Sequence, residues 1–128
     1  MTAFCLAQAR WPGQDFSLVL MDDAAMAGIN RLYLDREGST DVICFALKPR
    51  PGLVGAELFV NVQRALQEGR RRRGAAWELS LYLAHGCNHL RGGEDRTAPG
   101  RQRMRARELR WLQMAQRRQL LDNLLHKP

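Results

Sequence analysis

Residues 77–96, WELSLYLAHGCNHLRGGEDR, decide how this chain is read. Leu79, Tyr82, Leu83, Gly86 and Leu90 recur at helical spacing, which predicts a helix over Trp77 to His89. His85 and His89 stand at i and i+4, so their rings lie one turn apart on the same side. At about 100° per residue they fall beside the Leu79/Leu83/Leu90 stripe, at the edge of a core. Gly92-Gly93 then ends the helix and turns the chain, and Glu94 and Asp95 follow at once. Two imidazoles on a helix plus a carboxylate returned by a glycine turn give three ligands converging on one point. That is the form of a catalytic zinc site whose fourth position is left to water. The same spacing also suits two ordinary polar histidines on an amphipathic helix. Gly86, rather than Glu, follows His85, so the general base of a helical metalloprotease is absent and that class is disfavoured. Cys87 points to another side of the helix and is expected to be a small core residue.

Upstream of this stretch lie three apolar runs. Phe16 to Met21 (FSLVLM) is expected to be a buried strand, and Asp22 or Asp23 to cap a helix running to about Tyr33. Asp41 to Leu47 (DVICFAL), β-branched and aromatic, is a second strand closed by turn signals at Pro49–Gly52. Leu53 to Val62 is a third, with Gly55 as a point of interruption. Gln63 to Arg71 is a short helix entering an arginine cluster. Thr97-Ala98-Pro99-Gly100 breaks the chain, and Gln102 to about Leu125 is a long helix. Strands first and helices later predict an α+β fold, with a small mixed sheet of three to four strands covered by helices and the histidines on a central one.

The 128 residues fit a single domain, 1–128, able to bury one core. No apolar run approaches the ~20 residues of a membrane span. The opening MTAFCLAQARWPGQDF has no basic start followed by a long apolar stretch, so no secretory leader is expected. Cys5, Cys44 and Cys87 make an odd count without a CxxC pair, which fits a reduced, cytoplasmic protein. The net charge is +7, and all the cations except Lys48 and Lys127 are arginines. Arginine's planar fork suits phosphate oxygens, so the excess is compatible with nucleic acid. Arg70–Arg73 (RRRR) is either a phosphate-contacting patch or a solvated surface run. The basic residues of the last helix leave the same two readings open. Trp11, Trp77 and Trp111 lie in no base-stacking pattern and are expected to pack. Asp41, at a strand start, is expected to be a turn or capping acid.

His85-Gly86-x-x-His89-Leu90-x-Gly92 resembles the signature of the YbeY family, bacterial endoribonucleases implicated in ribosomal RNA maturation, whose pattern runs H-G-x-L-H-L-x-G-Y-D-H. Asn30-x-x-Tyr33 followed by Ser39-Thr40-Asp41-Val42-Ile43-Cys44-Phe45 is similar to the family's N-x-x-Y-R and P-T-D-V-L-S-F-P. Ala56-Glu57-Leu58-Phe59-Val60 stands where the family has G-[DE]-I and a strand. Order and spacing are kept across roughly residues 16 to 115. The resemblance implies a metal, usually zinc, held by three side chains, and a hydrolase acting on RNA, with ribosomal RNA or the ribosome as partner and no DNA expected.

Two departures bear on that activity. Aligned without a gap, the family's third histidine falls on Asp95 and its preceding Asp on Glu94. His85, His89 and Asp95 then form the ligand set, with Glu94 able to orient water. With one inserted residue Arg96 takes the third place, and an arginine cannot ligate; the ungapped alignment is favoured. An Asp ligand cancels one unit of charge, so bound water is expected to be less acidic than beside three imidazoles. The arginine of the family's N-x-x-Y-R block is Leu34 here, and Arg31 or Arg36 are the cations near enough in sequence to serve instead. The leading expectation is a single-metal endoribonuclease. The alternative is a catalytically degenerate RNA- or ribosome-binding protein of the same fold. A metal-dependent hydrolase of small substrates is a third possibility.

Overall fold

The computed structural model describes residues 1–13, 15–47, 54–93, 95–122 and 124–125. The expected turn at Pro49–Gly52 and the catalytic candidate Glu94 lie outside them. The elements run α1 (Thr2–Gln8), β1 (Asp15–Met21), α2 (Asp23–Leu34), β2 (Val42–Ala46), β3 (Gly55–Asn61), α3 (Val62–Arg71), α4 (Ala75–Leu90) and α5 (Ala98–Arg117). The expected α+β class holds, and among the described residues three strands pair in the order β1-β3-β2. β1 is parallel to β3, from Asp15↔Gly55 to Met21↔Asn61, and β2 is antiparallel to it.

β3 is central, and its alternation sorts the layers. Leu58 and Val60 face the main core with α4, while Phe59 faces the opposite side and packs with Met26 of α2 and Ile43 of β2. Phe45 continues that second layer, edge-on to Phe59 at 5.8 Å and to Tyr33 at 5.6 Å. β1 is an edge strand, and its Leu18 and Leu20 remain exposed although they share a face with Phe16.

Several expectations needed correction. α1 was not anticipated, because its first turn has no side-chain cap, yet Phe4, Cys5 and Ala9 enter the main core. The Thr97–Gly100 stretch starts α5 instead of breaking the chain: the Thr97 hydroxyl accepts from Gly100 N–H at 3.1 Å. Pro99 sits in the first turn, where its missing donor costs nothing. At the other end α5 stops at Arg117, short of Leu125, and Gln119 takes a left-handed φ of 59°. Cys44, within β2, is half-buried, and desolvation pushes its thiol up to about 11.

Phe16 to Met21, expected to be a buried strand, is instead a half-exposed edge with no fully buried side chain. Other local readings agree with the structure. Asp22 caps α2, its carboxylate accepting from Ala25 N–H at 2.8 Å. Asp41 serves as a turn acid, accepting from Val42 N–H at 2.7 Å. Trp77 and Trp111 are packed in the core, and Trp11 lies edge-on to Phe16. Cys5, Cys44 and Cys87 are all free thiols.

α4 is more central than one apolar stripe suggests: Trp77 to Ala84 and Gly86 to Asn88 are all buried, between the sheet and α1, α3 and α5. Gly86 permits its close approach to β3. A Cβ there would stand 2.4 Å from Leu58 Cδ1 and 3.2 Å from Leu58 Cγ. Leu58 is fully buried and has nowhere to swing. Gly86→Ala is therefore expected to destabilise the fold by about 1–3 kcal/mol through overpacking, despite alanine's better helix propensity. Urea unfolding of the two proteins measures it, and an unchanged midpoint would show that β3 and α4 separate freely.

Candidate metal centre

α4 ends as the glycine pair dictates. Gly92 adopts φ 91°, Gly93 N–H reaches back to Asn88 C=O at 3.0 Å and Gly92 N–H to His89 C=O at 2.9 Å. This Schellman arrangement satisfies the last carbonyls and reverses the chain, so that Asp95 returns over the final turn. Arg101 of α5 pins the returning segment, its guanidinium donating to Asp95 C=O at 3.2 Å.

The three expected ligands converge. His89 Nε2 lies 3.1 Å from His85 Nε2 and 3.3 Å from Asp95 Oδ2. One ligand atom from each residue falls within 4.8 Å of the others. A tetrahedral zinc site with bonds of about 2.0–2.2 Å has ligand–ligand edges of about 3.3–3.5 Å, so the spacing fits one ion. The two side chains on α4 are 32% and 33% exposed, open enough for exchange and closed enough to limit water.

Glu108 of α5 stands behind His85, its Oε2 3.0 Å from Nδ1. A carboxylate only accepts, so it favours the proton on Nδ1 and turns the Nε2 lone pair toward Asp95 and His89. The same oxygen accepts from Asn88 Nδ2 at 2.9 Å, and Asn88 Oδ1 accepts from Arg107 at 3.3 Å. Burial opposes a charged His85, but the Glu108 hydrogen bond and charge outweigh it and raise the pKa above its ordinary value. Sequence reasoning missed Glu108. The signal was there: it is the single acid in α5, four residues from both Met104 and Leu112, on the face that enters the core.

The arginine candidates divide. Arg36 lines a groove with Leu34, Thr40 and His89, beside the centre. Arg31 borders a different hollow with Ala27 and Gly38. Arg71 and Arg72 line a cleft that reaches His85, paired there with Glu68 and Glu78. Arg73 instead lies over the Trp77 ring at 3.6 Å, and Arg70 is exposed. The run is thus no uniform patch.

Known proteins resemble this chain over most of its length. The family described as Endoribonuclease YbeY matches residues 3–116. A protein named Endoribonuclease YbeY from Moorella thermoacetica is 36% identical over 107 residues, covering 73% of this chain and 68% of its own length. One of the same name from Syntrophotalea carbinolica is 34% identical over 113 residues, covering 80% and 74%. A third, from Rhodopirellula baltica, is 33% identical over 93 residues, 70% of this chain but 48% of its own length. The chain therefore spans about half to three-quarters of these relatives. No helix among the described residues is long and apolar enough to cross a membrane. By the extent of the family match and the identity to these relatives, the chain belongs to the YbeY endoribonuclease family.

Proposed function

We propose that residues 1–128 form a single-domain, metal-dependent endoribonuclease that acts on RNA, with ribosomal RNA as its substrate. The observation that carries this reading is the convergence of His85 Nε2, His89 Nε2 and Asp95 Oδ2, with Glu108 holding His85 from behind. The two-nitrogen, one-oxygen donor set suits zinc. When bound, the ion supplies Lewis-acid stabilisation of charge developing on the phosphate and activates water.

The chain's own residues do the rest. His85, His89 and Asp95 fix the ion's place, and Glu108 and Asn88 hold the His85 ring in its ligating tautomer. Arg36, Arg71 and Arg72 line grooves that reach the two histidines and suit a strand's flanking phosphates. Glu94, following the Gly92-Gly93 turn, is assigned to orienting the attacking water. RNA rather than DNA is the proposed partner, and the free thiols suit the reducing cytoplasm where ribosomal RNA is processed.

The test is elemental mass spectrometry on protein purified without a histidine tag, followed by cleavage of a ribosomal RNA fragment with and without chelator. Stoichiometric transition metal, with cleavage lost on chelation and restored by zinc, is the expected result. Absence of metal even after zinc addition, with salt-dependent RNA binding but no cleavage, would select the degenerate RNA-binding protein instead.

A further inference from the structure

Two clefts meet at His85. One, of about 430 Å³, opens beside α3 and α4 and is strongly charged, with Asp41, Arg64, Arg71, Arg72 and Glu78 in its walls. The other, of about 680 Å³, runs along α5 past Asp95, and Met104, Ala106 and Leu109 make it largely apolar. Three residues line both: His85, Glu108 and Arg105. The first two are bonded to each other. Arg105 is exposed and makes no hydrogen bond or ion pair among the described residues. Its neighbours are committed: Arg101 to Asp95 C=O, Arg107 to Asn88, Arg71 to Glu68 and Arg72 to Glu78.

An uncommitted guanidinium at the junction of a charged and an apolar cleft, beside a metal-ligating histidine, matches the chemistry of one nucleotide unit. The apolar cleft suits the face of a base, and the charged one suits the next stretch of sugar-phosphate. The group between them meets the phosphate, whose oxygens a planar fork can take bidentately. We propose that Arg105 is a catalytic residue whose guanidinium binds the non-bridging oxygens of the scissile phosphate, with the base of a flanking nucleotide lodged in the apolar cleft. The proposal rests on the RNA-hydrolase reading above and deepens it. In the hydrolysis a water oxygen bonds to phosphorus, the bond from phosphorus to the departing sugar oxygen breaks, and a proton from the water ends on that oxygen. Arg105 transfers no proton; it offsets negative charge throughout.

Arg105→Gln and Arg105→Lys test this in the 128-residue protein, alongside metal content. Because the side chain is exposed, both variants are expected to keep wild-type metal content. Arg105→Gln should lose about 10²-fold in kcat, the scale of one preorganised donor to developing charge. Its binding of a short fluorescein-labelled single-stranded RNA should show a log–log salt slope smaller by about 1. Arg105→Lys should restore that slope but not kcat, because a point charge cannot reproduce the fork. Wild-type kcat and an unchanged slope in Arg105→Gln would overturn the assignment. Should the wild type cleave no RNA, the hydrolase reading fails instead. The salt slope then still reports on the phosphate contact, and an unchanged slope refutes that too.

Discussion

His89→Ala is expected to leave the purified protein without stoichiometric metal and to abolish RNA cleavage. His89 Nε2 is the middle of the three ligand atoms, within 3.3 Å of both others, so its removal leaves His85 and Asp95 without the atom they share as a neighbour. Two remaining ligands cannot close a tetrahedral site against bulk water. Loss of the ion forfeits several kcal/mol of charge stabilisation in the transition state. At about 4 kcal/mol that is roughly three orders of magnitude in rate. His89 is partly exposed at the end of α4, so the fold should survive, as circular dichroism can verify. Full metal occupancy in the variant would refute the ligand assignment.

Glu108→Gln tests the support behind the ligands. Glu108 is 3% exposed and touches no ligand position itself; its carboxylate receives Asn88 and orients His85. A glutamine keeps the volume but offers one acceptor oxygen and two donors, and a donor facing Nδ1 would favour the tautomer that withdraws the Nε2 lone pair. Metal affinity is expected to fall about 10- to 100-fold. In linked stability this is about 1.4–2.7 kcal/mol at saturating metal, visible as a smaller metal-induced rise in melting temperature. An unchanged zinc titration would show that His85 is held by packing rather than by the carboxylate.

The parts legible in the sequence are those whose pattern is local. The strands stood out because VICFA and ELFV are β-branched and aromatic runs bounded by turn residues. The convergence of His85, His89 and Asp95, the candidate metal cluster, was legible because all three lie within one helix and the turn that ends it. The family resemblance added the choice of Asp95 over Glu94 as third ligand. Glu108 escaped because its partner, His85, is a full helix away in sequence, and pairing between α4 and α5 is a tertiary fact. The boundaries of α5 were misplaced for a different reason. Thr-Ala-Pro-Gly carries the composition of a break, but a threonine cap with proline in the first turn is also how a helix begins. The fate of Leu18 and Leu20 was equally hidden: alternation assigns a residue to a face, and only the lateral reach of α4 decides whether that face is covered.

The order β1-β3-β2 has a kinetic side as well. β2 and β3 are neighbours in sequence and can close on each other over a short loop. β1 joins only when Asp15 meets Gly55, with α2 and β2 already spanned between them. Loop-closure entropy is lost before that parallel ladder forms, so β1 is expected to join after the antiparallel pair. In the native protein the same asymmetry orders local opening. Amides of β1 should exchange with solvent faster than those of β3, and the edge strand should be the first to leave while the helices bearing His85, His89 and Glu108 remain folded.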